Sequence, residues 1–554
     1  MPTSLPDLDL DTITDPALRE PVTRLLSVVE ETLAANQRLR DQIQALRDEI
    51  ARLKGEQGKP KFPRERPADP HPDHSSEAER KSSEPQQRRK TKKVAALEID
   101  RTQPCTFPHA IPPGWQFKGQ VETVIQDLII RRDNIRFVRP KYYDPVTGKT
   151  HTAPLPAGYW PGYEFGPGIR QAALTFLYET HVSFPSFHRL LLGAGIRISR
   201  GTVSGLATAH LDRFHAEQAA VLAAGLASSP WQQTDVTHTR VKGEGQSCHV
   251  LLNPLYTCYY TAPQQDRATV LDLLQFGAPR RYRLDALTLE LLTKWRCPEA
   301  HGRKLAELRS DTLWDAHGFA DLLTQHLPLV GLKRRRQIED AAQIAAYRAT
   351  SPDVVACLLT DNCSVYNDLT SEQGLCWVHD ARHYLKLMPR TPSFQQELAA
   401  FMDEYWNFYR KLLAYREAPR PAEAVQLEAE FERLFRRAVH HQELAKCQAR
   451  TRGNKAQLLL VLRHPELPLH NNAAELAARR RVRKRDVSLG PRSPAGVRAW
   501  DTLQGLVETT RKLGVKFTDY LEDRLKGLGK IPPLAELIRQ RAGEQALGAS
   551  WAAG

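Results

Sequence analysis

The sequence predicts a multidomain α+β protein. Its 554 residues exceed one ordinary domain and suit three or four. Residues 18–53 carry a long helical repeat, whereas apolar, β-rich stretches such as SCHVLLNPLYTCYYT and VVACLLT recur farther on. Asp235 in WQQTDVTHTRV and Asp361 in VVACLLTDNCSVYNDL stand where two such stretches run out. Glu475 in HPELPLHNNAAELAARRRVRKRD lies one turn into a predicted helix.

Composition narrows the partners. Lys and Arg number 78 against 64 Asp and Glu, a formal net charge of +14 with a pI near 9.4. That balance favours a polyanion, most simply DNA, although an acidic protein or membrane surface would also be attracted. No apolar run reaches the length of a membrane span, and MPTSLPDLDL lacks the charged-then-apolar pattern of a signal peptide, so a cytoplasmic protein is expected. The eight cysteines include no CxxC pair, against both a disulfide framework and a zinc ribbon.

Residues 17–54 are expected to form a coiled-coil dimerisation zipper. Val22, Val29, Asn36, Ile43 and Ile50 fall at one seam position, and Leu25, Thr32, Leu39, Leu46 and Leu53 at the other. β-Branched residues at a with Leu at d favour two parallel strands, and a lone Asn at a fixes register. The alternative is an amphipathic helix packed on its own protein. Residues 55–93 are too polar and charged for a core and predict a basic disordered linker closing at RRKTKK, Arg88 to Lys93. Over 94–157, alternation in QVETVIQDLIIRRDNIRFVRPKYYDPVTGKTHTAP suggests a small β unit with a turn at Pro145-Val146-Thr147-Gly148-Lys149. Residues 158–229 predict helices broken at Gly193-Ala194-Gly195, with Ser199 capping the next one. Helix-turn-helix spacing would set Arg197, Arg200 and Thr202 near an exposed helix start suited to DNA; a plain helical pair fits as well.

Carboxylates in the three contexts of Asp235, Asp361 and Glu475 can share two divalent ions, because hard cations such as Mg²⁺ take oxygen ligands and a pair of them clamps both the attacking and the leaving oxygen of a phosphodiester. Each acid also has a plain structural role open to it. Asp235 can cap a turn, Asp361 a helix, and Glu475 can complete a capping interaction. The run Arg479, Arg480, Arg481, Val482, Arg483, Lys484 and Arg485 follows Glu475, so several cations should face whatever Glu475 faces, and DNA phosphates are the expected contact.

The segment LLTDNCSVYNDLTSEQGLCWVHDARHYLKL followed by HPELPLHNNAAELAARRRVRKRD resembles the DDE transposases of the insertion-sequence 66 family, with gaps from about residue 120 to residue 525. Asn471-Asn472-Ala473-Ala474-Glu475 is its most specific block. The resemblance implies an RNase H-like α/β catalytic core with helical insertions, on which Asp235, Asp361 and Glu475 are the catalytic metal-binding triad for two Mg²⁺ or Mn²⁺ ions. It places the first part of that core at 230–384 with an insertion at 278–352, an all-helical insertion at 385–464, the second part at 465–530 and a tail at 531–554. Cys376, His379 and Asn472 are expected to be structural neighbours of the site, since one Cys-x-x-His pair cannot complete a tetrahedral zinc site. The chain departs from the family pattern at His470, where Asp is usual, and at Val236, where an acid often follows. The Cys-rich zinc position within 94–157 is also degenerate, with only Cys105 left.

Three functions follow. The leading one is a transposase, nucleoid-associated in the cytoplasm, that binds transposon ends and target as double-stranded DNA, nicks, and joins strands as a homodimer or higher homo-oligomer, with helper proteins left open. An inert DNA-binding regulator and a metal-dependent nuclease that never joins are the alternatives.

Overall fold

The computed structural model describes residues 13, 15–53 and 98–551, apart from residues 108, 129, 160, 351–354 and 546 and the side chains of 16, 34, 37, 41, 44, 45 and 47–53. The linker expected at 55–93 lies outside the described residues. The chain divides into two compact units, one of Met1–Pro63, Val138–Arg189 and Ile198–Gly554, the other of Arg64–Phe137 and Leu190–Arg197. Within the second unit, described residues 98–137 form neither helix nor strand, and Trp115, Phe117 and Ile125 are exposed. Alternation in QVETVIQDLII gives no sheet there because period two supplies a face but no pairing partner for the backbone.

In the first unit, α1 (Pro16–Leu53) comes first. A hairpin of β1 (Lys141–Asp144) and β2 (Lys149–Thr152) follows, turning at the expected Pro-Val-Thr-Gly. Helices α2 (Pro167–Leu174), α3 (Phe184–Gly193, whose residues from Leu190 on belong to the second unit), α4 (Arg200–Thr208) and α5 (Asp212–Ala227) come next. Gly195 at φ 80° breaks the chain after α3, and the Ser199 hydroxyl accepts from Thr202 N at 3.0 Å to cap α4.

The central sheet is mixed. β3 (Trp231–Val241), β4 (Glu244–Asn253) and β5 (Tyr256–Ala262) form an antiparallel meander, and β8 (Cys357–Thr360) and β9 (Glu372–Leu375) add in parallel, giving the order β5-β4-β3-β8-β9. The strands are buried over most of their length, as expected of near-continuous apolar runs. One close approach needs a glycine: a Cβ on Gly225 of α5 would lie 2.3 Å from the Tyr256 ring.

Between β5 and β8 the chain makes α6 (Arg267–Leu274), β6 (Tyr282–Leu284), α7 (Ala286–Lys294), α8 (Glu299–Glu307), β7 (Ser310–Trp314), α9 (Ala316–His326) and α10 (Leu332–Thr350). Asp266, Asp285 and Asp315 each cap the helix that follows through a backbone N–H. α6 ends where Phe276 and Gly277 turn left-handed and Gly277 N bonds back to Asp272 O. The insertion is thus not purely helical: β6 and β7 pair in a small sheet of their own.

After β9 come α11 (Trp377–Leu385), α12 (Pro392–Glu417), α13 (Pro421–Arg436) and α14 (Gln442–Gly453), packed round an aromatic core of Trp377, Phe401, Tyr405, Phe408, Phe431 and Phe435. α15 (Asn472–Ser488), α16 (Pro494–Lys512), α17 (Phe517–Lys526) and α18 (Leu534–Glu544) complete the chain. The expected tail is therefore folded. α18 buries Leu534 and Ile538, Trp231 Nε1 donates to Leu547 O, and Trp551 stacks on His464 with centroids 3.7 Å apart.

Candidate active site

The site is built where β3, β8 and α15 meet. Parallel pairing runs from Trp231↔Cys357 to Gln233↔Leu359, and two residues beyond that last pair come Asp235 and Asp361. Asp361 thus follows the end of β8 as expected, whereas Asp235 lies mid-strand, because β3 runs on to Val241 against β4 after its pairing with β8 has stopped. Glu475 stands in the first turn of α15, with its N–H bonded to Asn471 O at 3.1 Å. Asn471 explains how that turn is held: its Nδ2 donates to Thr234 O at 2.7 Å, next to Asp235, and its backbone N donates to Cys376 Sγ at 3.2 Å. Trp377 N also bonds Leu469 O at 2.9 Å. One asparagine therefore joins β3, α11 and α15.

The Asp235 carboxyl feels both of the other acids. Burial pushes the Asp235 carboxyl up to about 6, the negative charges of Asp361 and Glu475 add to the rise, and its own bond from Val236 N and the cation of Arg382 oppose it. The buried phenol of Tyr366 is pushed up as well, by burial and then by Asp361. Arg382 Nη2 meets Glu475 Oε2 at 3.0 Å and Oε1 at 3.4 Å, while Arg382 Nη1 lies 2.8 Å from His379 Nε2. Guanidinium can only donate, so Nε2 accepts and a neutral His379 carries its proton on Nδ1, which faces Glu475 Oε1 at 3.5 Å. Burial lowers the His379 pKa against the pull of Glu475, favouring that neutral tautomer.

Cys376, His379 and Glu475 offer three donor atoms within 4.8 Å of one another. Burial pushes the Cys376 thiol up to about 11, so at neutral pH it is a protonated acceptor for Asn471 N rather than a thiolate ligand. Asn472 is buried at the helix start. Asp235, Asp361 and Glu475 supply hard oxygens of the kind divalent cations take, and the Asp235 carboxyl, raised chiefly by burial and secondarily by the other two acids, would be returned to its charged form by such an ion. In donor chemistry the three residues fit it.

The basic run divides by burial. Arg479 and Arg483 are exposed on α15. The expectation that Arg481 and Lys484 contact DNA is corrected by their burial. Arg481 is 1% exposed, ion-paired with Asp501, and bonded to Gln504 Oε1 at 2.5 Å and Thr261 Oγ1 at 2.7 Å. Lys484 is fully buried, donates to Leu177 O, and is pushed down to about 7 by burial. A helix on a sheet must bury one face, and period 3.6 brings residues 474, 477, 478, 481 and 484 onto it. Arg480 pairs with Glu508, and Arg485 with His238 O and Asp486. Arg197 and Arg200 are exposed, Arg200 opening α4.

On α1, Leu25, Asn36, Leu39, Ile43 and Leu46 are exposed and Val22 and Val29 half-buried; the Ile50 side chain lies outside the described residues. Arg382 was missed by the sequence reading, and Asn471, though part of the block most specific to the family, was given no role of its own. Arg382 was findable as the residue one turn after His379 on the same helix face; nothing local marked Asn471 as a joint.

Comparison with known proteins adds two findings. Residues 324–499 match the family model described as Transposase IS66 family, a span that holds Asp361 and Glu475 but not Asp235. The chain is also 31% identical over 328 residues to the uncharacterized protein y4jO of Sinorhizobium fredii (strain NBRC 101917 / NGR234), which covers 58% of this chain and 100% of that protein.

Proposed function

The chain belongs to the Transposase IS66 family, and from that premise we propose that it is a DDE transposase that binds transposon ends and catalyses metal-dependent DNA cleavage and strand transfer. The observation that carries the reading is the convergence of Asp235, Asp361 and Glu475 from β3, β8 and α15, felt in the raised carboxyl of Asp235. The strand order β5-β4-β3-β8-β9, antiparallel then parallel, supports an RNase H-like core.

Asp235, Asp361 and Glu475 would hold two Mg²⁺ or Mn²⁺ ions. Bound there, such ions supply a deprotonated water or 3′-hydroxyl and neutralise charge on the phosphoryl group and leaving oxygen. The chain's own residues do the positioning. Asn471 fixes the height of α15 against β3, so Glu475 arrives beside Asp235. His379 and Arg382 hold the Glu475 carboxylate from the side of α11. Arg479 and Arg483, exposed farther along the helix of Glu475, are the part of the basic run suited to phosphates. The exposed apolar seam of α1 supports pairing with a second copy. Exposure of Arg200 at the start of α4 supports end recognition by that helix.

The test is incubation of the full chain with DNA carrying the element ends and Mg²⁺ or Mn²⁺. Joined strands support the transposase. Cleavage without joining indicates a nuclease, and binding with neither indicates an inert regulator.

A further inference from the structure

The insertion between β5 and β8 makes a groove of about 630 Å³ lined by Arg267, Trp295, Lys333, Arg334, Arg336 and Asp340, four cations against one acid. Its parts come from three elements. Arg267 opens α6, Trp295 follows α7, and the other charges lie on the first turns of α10. Arg267 lies 4.5 Å over the Trp295 ring and pairs with Asp340 at 3.5 Å, so its charge is held in place. Arg334 is half-buried and bonded to Gln337 Oε1 at 2.7 Å. Lys333 and Arg336 are exposed, and among the described residues neither has a carboxylate within ion-pair distance. Like charges this close repel one another unless an anion joins them.

The groove is also tied to the segment that begins at Asp361. Arg267 Nη2 donates to Ser364 O at 2.9 Å, Gln265 approaches Cys363 Sγ at 3.8 Å, and Lys294 and Trp295 Nε1 hold the Asp368 carboxylate at 2.6 and 2.9 Å. Ser364 is three residues from Asp361, at most about 11 Å along the chain. Through Arg267 and Ser364 the groove is thus linked to the chain segment that carries Asp361.

We propose that this insertion is a DNA clamp: its groove takes the phosphodiester backbone of the DNA whose scissile bond lies at Asp235, Asp361 and Glu475. The assignment rests on the transposase reading and gives the insertion a role in holding substrate. The double variant Lys333→Ala/Arg336→Ala in the full chain is compared with Arg303→Ala/Lys304→Ala, the same charge change on α8 of the same insertion. Affinity for end-containing duplex DNA is measured across a salt series. The groove variant should lose on the order of tenfold in affinity at 0.1 M salt and about 1.8 in the slope of log K against log salt, the release expected for two phosphate contacts. The α8 variant should lose neither. In the unaltered protein, acetylation of Lys333 read by mass spectrometry should be suppressed by DNA while that of Lys304 is not, a measurement independent of how the variants fold. Equal losses in both variants, an unchanged slope in the groove variant, or unprotected Lys333 overturns the clamp. If the unaltered protein cleaves and joins DNA while these results fail, the clamp alone falls; if it neither binds nor cuts DNA, the transposase reading falls first.

Discussion

At the scale of single residues, the site is organised by charges that oppose one another. Asp235 carries a burial cost: its carboxyl is pushed up to about 6, so the folded chain keeps a proton that the unfolded chain releases near the ordinary aspartate value. The resulting destabilisation is absent below about pH 4, develops between the two values and is complete above about pH 6. Asp235→Asn should therefore stabilise the metal-free protein at pH 7.5 by roughly 1–3 kcal/mol and leave it unchanged near pH 4. Thermal melts at both pH values check this, and an equal gain at both would contradict the burial account. Joining, by contrast, should vanish in Asp235→Asn, Asp361→Asn and Glu475→Gln alike. Ligands acting as one unit are non-additive, so each single change should match the triple in a strand-transfer assay. The basic run separates just as cleanly. Arg481→Ala empties a buried site and leaves the half-buried Asp501 carboxylate without its ion-pair partner, and should cost about 3–5 kcal/mol in denaturant unfolding. Arg479→Gln with Arg483→Gln should leave folding intact and flatten the salt dependence of DNA binding.

At the scale of elements, α1 shows how one helix serves two neighbours. Glu30 accepts from Arg390 N, Thr391 N and Thr391 Oγ1, each at 2.8 Å, so α1 caps the start of α12. Farther along, Leu39, Ile43 and Leu46 remain exposed at about half or more of their surface. The helix is thus packed on its own protein at Glu30, and farther along its seam is open; pairing with a second copy is the proposal that sedimentation tests. Asn36→Leu should raise the melting temperature of the isolated segment and shift it toward higher oligomers in sedimentation, because the lone Asn at a, which would specify register in a paired coil, is gone. A segment that stays monomeric at high micromolar concentration contradicts the zipper. The basic helix of Glu475 teaches the complementary lesson. Its charge pattern was legible, but which charges face inward depends on the sheet beneath it, and Arg481 and Lys484 fall on the same face as Ala474, Ala477 and Ala478.

For the whole molecule, the C-terminal segment closes the core rather than trailing from it. Ser550 bonds Glu466 Oε1, Trp551 stacks on His464, and α18 lies against α5. Truncation after residue 531 should therefore lower the melting temperature of the full chain and expose apolar surface to dye; an unchanged melt would show the segment to be dispensable. What the sequence by itself determined is local: the strands around Asp235 and Asp361, the cap at Ser199, the hairpin turn, and the wording around Glu475 that marks the family. Each is set by residues within a few positions of one another. What only the tertiary structure decided is which distant groups meet. The bond from Asn471 to Thr234 spans 237 residues and that from Arg382 to Glu475 spans 93. The choice between an arginine for the core and one for solvent depends equally on a surface hundreds of residues away. Periodicity reports a helix's faces but not what lies against them, and burial, hydrogen bonding and charge acquire their values only when that surface is in place.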